Sequence, residues 1–167
     1  MSELNLLLDL EGTVIESWGH RRWLRNHLDA IRDFIDQHCR DRTTSFGLMS
    51  WAVMNTRDTQ EFNRHLRRLI EESLDMQFGN EMVRSMEEWS HLASTHGHGG
   101  IDGQELLYLF DKPSLLFGLR HVPESILGKE VILIDDDIPH DERIITGNRT
   151  IRLLNVLALS SDMQPVR

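Results

Sequence analysis

Asn5-Leu6-Leu7-Leu8-Asp9-Leu10-Glu11-Gly12-Thr13-Val14-Ile15 is the stretch that decides the fold. Leu6 to Leu8 is a short apolar run, too close to the N-terminus to be half of a capped helix. It predicts a strand buried on both faces, as in a parallel sheet covered by helices. The strand runs into two carboxylates, Asp9 and Glu11, and then Gly12-Thr13. An acid at the carboxyl end of such a strand lies in the crevice where open α/β sheets build their sites. Gly12 permits a sharp turn and a close approach to a ligand, and the N–H groups that follow would form an anion cradle. Taken alone, the same residues also fit an acid that merely begins a turn.

The rest of the chain bounds the answer. Its 167 residues suit one domain with a core that needs no staples. The hydrophobic share of 40% and charged share of 27% are those of a soluble globular protein. Cys39 is the only cysteine, which rules out an internal disulfide and fits a reducing cytoplasm. No apolar run is long enough to span a bilayer, and Met-Ser-Glu-Leu-Asn lacks the basic region of a signal peptide. A cytoplasmic protein with no membrane partner is expected. The net charge of −9 argues against a non-specific nucleic-acid binder. An acidic protein that handles phosphate needs a metal or a few placed lysines.

Further along, Trp23, Leu24, His27, Leu28, Ile31, Phe34 and Ile35 recur at helical spacing, which predicts a helix over about 21–39. Ser45 to Val53 predicts a second buried strand with Ser50 near its end. Asn55 to Thr59 offers loop and cap chemistry, with Asp58 or Thr59 as the expected cap. A second helix follows through Leu74, Phe78-Gly79-Asn80 breaks it, and a third helix is expected over about 81–94. His96-Gly-His-Gly-Gly100 reads as a mobile loop or a substrate contact. With His91 and Cys39 it holds zinc-ligand types, but at no familiar spacing. Leu106 to Phe110 predicts a third strand, followed at once by Asp111-Lys112-Pro113. A helix over Ser114–Arg120 leads to a fourth strand, Val131 to Ile134, which ends in Asp135-Asp136-Asp137 with Asp141 beyond. A last strand lies around Thr150–Leu154. No repeat, linker or low-complexity tract divides the chain. Alternating elements of this kind predict an α/β fold, a Rossmann-like parallel sheet with helices on both faces and right-handed crossovers.

Polar clusters thus follow four predicted strands: Asp9 and Glu11, Ser50, Lys112, and Asp135 with Asp136. Each has a plain reading as a turn former or a solvated charge. Adjacent aspartates directly after an aliphatic strand repel one another, and holding a hard cation through oxygen ligands relieves that repulsion.

In this order the clusters resemble those of the haloacid dehalogenase superfamily, whose members are mostly magnesium-dependent phosphohydrolases. That family pairs a strand ending in Asp-x-Asp-Gly-Thr with a strand ending in Ser or Thr, a Lys, and a strand ending in paired acids. Here the counterparts are Asp9-Leu-Glu11-Gly12-Thr13, Ser50, Lys112 and Asp135-Asp136, spread over residues 6–141. A single domain over 1–167 is expected, with a helical insertion around 58–95. The family's caps enter after the first motif or between the third strand and the Lys, and both connections are too short here, so no separate cap domain is expected. The resemblance implies Mg²⁺ held by Asp9, the backbone carbonyl of Glu11, and Asp135 or Asp136. Asp9 would be the nucleophile that forms an aspartyl-phosphate, and Glu11 the acid and base. Ser50 and the N–H groups after Asp9 would bind the phosphoryl oxygens, and Lys112 would neutralise developing charge.

Glu11 departs from the family's usual Asp, although members similar to enolase-phosphatase carry Glu there. A displacement near 1 Å costs roughly 100-fold. An open rim would suit a phosphorylated small molecule closed in by a partner subunit, a phosphoprotein or a nucleic-acid end, and oligomerisation stays open. The alternative is a catalytically silent binding or regulatory module on the same sheet. Transfer to an acceptor other than water is a further reading. A receiver-like domain is disfavoured because Gly12-Thr13 follows the first acid.

Overall fold

The computed structural model describes residues 3–96, 111–138, 142–146 and 149–162. The strands are β1 (Leu4–Leu8), β2 (Thr44–Leu48), β3 (Phe78–Val83), β4 (Glu130–Asp135), β5 (Glu142–Thr146) and β6 (Arg149–Asn155). They form one sheet in the order β3-β2-β1-β4-β6-β5. All neighbours are parallel except β5, which joins the edge antiparallel to β6. The helices are α1 (Arg25–His38), α2 (Thr56–His65), α3 (Arg67–Leu74), α4 (Met86–His96), α5 (Lys112–Gly118) and α6 (Val156–Asp162).

β1 is buried along its whole length because both faces of the sheet are covered. Leu4, Leu6 and Leu8 pack with residues of α1, α2, α3 and α6, including Ile31, Phe62, Ile70 and Leu159. Leu7 faces the other way, with Val131, Leu133, Met86, Trp89, Leu115 and Leu116. The period of two along a strand therefore builds two cores from one apolar run. The fold is α/β, a Rossmann-like parallel sheet with helices on both faces, and no separate cap domain stands among the described residues. No described helix is long and apolar enough to cross a membrane.

Several boundaries differ from the sequence reading. α1 starts at Arg25 because residues 14–24 double back on themselves first. There Glu16 N–H donates to Arg22 O (2.7 Å) and Leu24 N–H to Val14 O (2.9 Å), around Arg21 at φ 52°. β2 ends at Leu48, leaving Ser50 in the loop beyond it. The cap of α2 is Asn55, not Asp58 or Thr59: its side chain accepts from Asp58 N–H (3.0 Å), while Asp58 accepts from Met54 N–H (3.0 Å). This reciprocal pairing works like a capping box, so Asp58 supports the cap from the first turn. The second helix is two helices, broken at Leu66.

The expected helix over 81–94 is in fact β3 followed by α4. β3 hides its nature because only Phe78, Met82 and Val83 are buried and its register on β2 is irregular, so no alternation shows. The helix expected over Ser114–Arg120 begins earlier, at Lys112, and ends in a 3₁₀ turn over Leu119–His121. The strand expected at Leu106–Phe110 lies outside the described residues, as do Gly97–Gly100 and Asp141.

Candidate active site

Register places the site. Leu8 pairs with Leu48 on one side and Ile134 on the other, so Asp9, Met49 and Asp135 leave the sheet at one height. Asp9 N–H still donates to Ile134 O (3.1 Å), and Met49 N–H to Leu8 O (2.9 Å). Trp89 Nε1 donates to Leu48 O (2.7 Å), which ties α4 to the last residue of β2. Across the cleft, Asp111 caps α5 by accepting from Ser114 N–H (2.9 Å), and Lys112 extends from its first turn. Pro113 suits that turn because it needs no N–H donor there.

The candidate residues converge. Lys112 Nζ donates to Asp9 Oδ1 (2.7 Å) and to Asp135 Oδ2 (2.6 Å), with all three side chains buried. Thr13 Oγ1 donates to Asp9 Oδ2 (3.0 Å) and lies 3.4 Å from Asp136 Oδ1. Asp135 Oδ1 accepts from Asp137 N–H (3.0 Å), so both of its oxygens are engaged. Ser50 is 1% exposed, and its hydroxyl accepts from Ala52 N–H (3.2 Å), which leaves its own hydrogen to donate. Asp9, Glu11, Ser50, Lys112, Asp135 and Asp136 all line one cleft with a cavity volume of about 330 Å³.

Glu11 stands apart from the buried group. It is exposed, and Oε2 accepts from Trp18 N–H (2.8 Å) in the turn before α1. The backbone cradle is also narrower than expected. Gly12 N–H is used by Ile15 O (2.8 Å) and Thr13 N–H by Leu10 O (3.1 Å), which leaves any such role to the amides of Leu10 and Glu11.

Asp9, Asp135 and Asp136 present carboxylate oxygens within 4.8 Å of one another. Burial pushes the Asp9 carboxyl above its ordinary 3.8, against the pull of Lys112 and with the push of Asp135. Burial, the Asp135 side chain and the Asp9 charge push Asp136 up to about 6. Both shifts come first from burial, with repulsion between neighbouring carboxylates adding to it. An all-oxygen donor set with surplus negative charge fits a hard divalent cation. Gly12 makes the arrangement feasible: at φ 78°, a Cβ there would meet Asp136 Oδ2 at 2.1 Å.

Sequence reasoning missed three supports. Asn155, at the end of β6, donates to Asp136 O (3.2 Å) and Ile138 O (2.8 Å) and so holds the aspartate loop. Its signal was a polar residue ending a strand, like the four that were read. Thr13, the last residue of the Asp9–Thr13 motif, bridges toward both acids. Arg149 is buried and donates to the carbonyls of Gly128 (2.8 Å), Leu119 (2.9 Å), Arg120 (3.0 Å) and Leu127, an anchor that no motif signals. Among the described residues Cys39 and His91 do not come together: Cys39 is buried in the core under α1, whereas α4, which carries His91, covers the opposite face.

No family model, no curated protein and no solved structure matches the chain.

Proposed function

We propose that the protein is a magnesium-dependent phosphatase similar to the haloacid dehalogenase superfamily, acting through an aspartyl-phosphate on Asp9. The observation that carries this reading is the buried Asp9–Lys112–Asp135 contact, with Asp136, Thr13 and Ser50 around it at the carboxyl ends of β1, β2 and β4.

In the first step an Asp9 oxygen attacks phosphorus, the ester P–O bond breaks, and Glu11 gives its proton to the departing oxygen. In the second, Glu11 takes a proton from water, the water oxygen attacks phosphorus, and the bond to Asp9 breaks to release inorganic phosphate. Lys112 keeps Asp9 aligned and has a third N–H for a phosphoryl oxygen; Ser50 offers another donor. Asp9 and Asp136 would hold Mg²⁺, which when bound supplies positive charge at the phosphoryl group. Asp135 is the positioning acid, since Lys112 and the Asp137 N–H occupy its oxygens. Trp18 N–H engages only Oε2 of Glu11, so Oε1 is the oxygen that would carry the proton.

That last contact favours a second reading, a silent module in which Glu11 braces the turn. Hydrolysis of phosphate monoesters with and without Mg²⁺ separates the two. Metal-dependent turnover that Asp9→Asn abolishes by more than about 1,000-fold supports the phosphatase. Turnover that survives in the pure Asp9→Asn protein removes the covalent mechanism, and none in the wild type leaves the silent module.

A further inference from the structure

The cleft has two layers. Its floor is polar and closed: Asp9, Ser50, Lys112 and Asp135 are each at most 5% exposed. The apolar part of the lining is Trp51, Ala52, Pro113 and Ile138, of which Ile138 is buried and Trp51 is the most exposed. Trp51 directly follows Ser50 and is 39% exposed. Its exposed part is an apolar surface beside the polar floor of the cleft. Among the described residues, the other exposed large apolar side chains, Leu69, Phe117 and Leu157, do not line this cleft, and Phe117 is covered by the Arg120 guanidinium at 4.2 Å.

Charge narrows the ligand further. Asp9, Glu11, Asp111, Asp135, Asp136 and Asp137 line the cleft against one cation, Lys112, among the described residues. Lys112 already serves Asp9 and Asp135, so it has one N–H for an incoming phosphoryl group and none for a second anion. A second phosphate or a carboxylate on the ligand would meet Glu11, Asp111 or Asp137 with no further cationic side chain among the described lining residues. The cavity, about 330 Å³, is at the low end of the roughly 300–1,000 Å³ typical of ligand pockets. It suits one phosphoryl group and one ring, with anything larger left outside.

Resting on the phosphatase reading above, we infer that Trp51 determines specificity, and that the substrate is a phosphate monoester whose alcohol side is planar, apolar and free of further negative charge. The ring lies on the indole while the phosphoryl group reaches Asp9, Ser50 and Lys112. The preference comes from aromatic contact and from Lys112 being the one cationic side chain among the described lining residues.

The test uses the full chain with Mg²⁺ and three esters of similar leaving-group chemistry: benzyl phosphate, 4-carboxybenzyl phosphate and glycerol 2-phosphate. Benzyl phosphate should give the highest kcat/KM, and the added carboxylate should remove most of its advantage. Trp51→Ala should lower kcat/KM for benzyl phosphate roughly 3- to 10-fold, mainly through KM, with a smaller fall for glycerol 2-phosphate. Trp51→Phe should restore most of the loss. Equal losses on all three esters, or a carboxylate that costs nothing, would overturn the inference. Failure of the phosphatase reading shows differently, as no turnover of any ester. Calorimetric binding of benzylphosphonate and methylphosphonate to the wild type and Trp51→Ala then decides: tighter, Trp51-dependent binding of benzylphosphonate supports the platform, and equal or undetectable binding of both rejects it.

Discussion

Asp135 and Asp136 are adjacent in sequence and opposite in surroundings, because β4 turns one inward and leaves the other beside Gly12. Asp135 is closed by Lys112 Nζ and the Asp137 N–H, whereas Asp136 faces Thr13 and Asp9. Mg²⁺ should therefore raise the melting temperature, and an ion at 100 times its Kd would add about 2.7 kcal/mol of stability. Asp136→Asn should remove most of that gain. Asp135→Asn should instead weaken the hold on Lys112, and a gain unchanged in both variants would sink the assigned site. The pH dependence follows from the same residue. The Asp136 carboxyl is raised from 3.8 to about 6 by burial and by its acidic neighbours, so the folded protein holds that proton more tightly than the unfolded chain. Its contribution to stability is fully present below 3.8 and is lost as pH rises through about 6. In metal-free buffer the melting temperature of the wild type, minus that of Asp136→Asn, should fall between about pH 4 and pH 7. A flat difference would show that the Asp136 charge is already compensated.

The elements show why some features were legible and others not. Residues at strand ends could be read because the pleat and the parallel register carry them to one rim without any knowledge of loops. Asp9, Asp135 and Asp136 arrive that way, and Ser50 reaches the same rim from the loop two residues past β2. Lys112 arrives by a helix start whose cap, Asp111, and Pro113 were both visible in sequence. β3 was not legible, since Gly79-Asn80 sits within it and its exposed middle breaks the alternation. β5 was missed although Gly147-Asn148 separates two short runs, a residue pair common in tight hairpins. The excursion over 14–24 was also hidden, because Trp23 and Leu24 share the spacing of α1 and made the helix look longer. Gly12 is where this excursion meets the site. Gly12→Ala puts a Cβ onto Asp136 Oδ2 and forces a left-handed residue, which alone costs about 1–2 kcal/mol. The variant should melt lower and lose much of the Mg²⁺ gain, whereas Gly19→Ala, which meets nothing within 4 Å, should do neither. Equal effects at the two glycines would mean that Gly12 matters only for chain flexibility.

At the scale of the whole molecule, one sheet carries the chain from β1 to β6, and the acidic cleft sits in an acidic protein. The net charge is −9, and the cleft adds its own carboxylates to that field. The distant charges act on incoming ions through water, over a screening length of about 10 Å at 0.1 M salt. The buried Asp9–Lys112 contact, at 2.7 Å, lies well inside that length and feels little of it. Added salt should therefore spare the chemistry and remove only the far field. That field attracts a divalent cation and repels a phosphate ester dianion, so its loss has opposite consequences for the two ligands. Raising tetramethylammonium chloride, a cation too bulky to compete for carboxylates, from roughly 20 to 200 mM should weaken Mg²⁺ affinity a few-fold. At saturating Mg²⁺ the KM for benzyl phosphate should fall over the same range, with kcat little changed. If both ligands weaken together, the salt is acting on the fold rather than on the field. If neither moves, the surface charge is too distant to steer anything into the cleft, and the acids that line it set the selectivity alone.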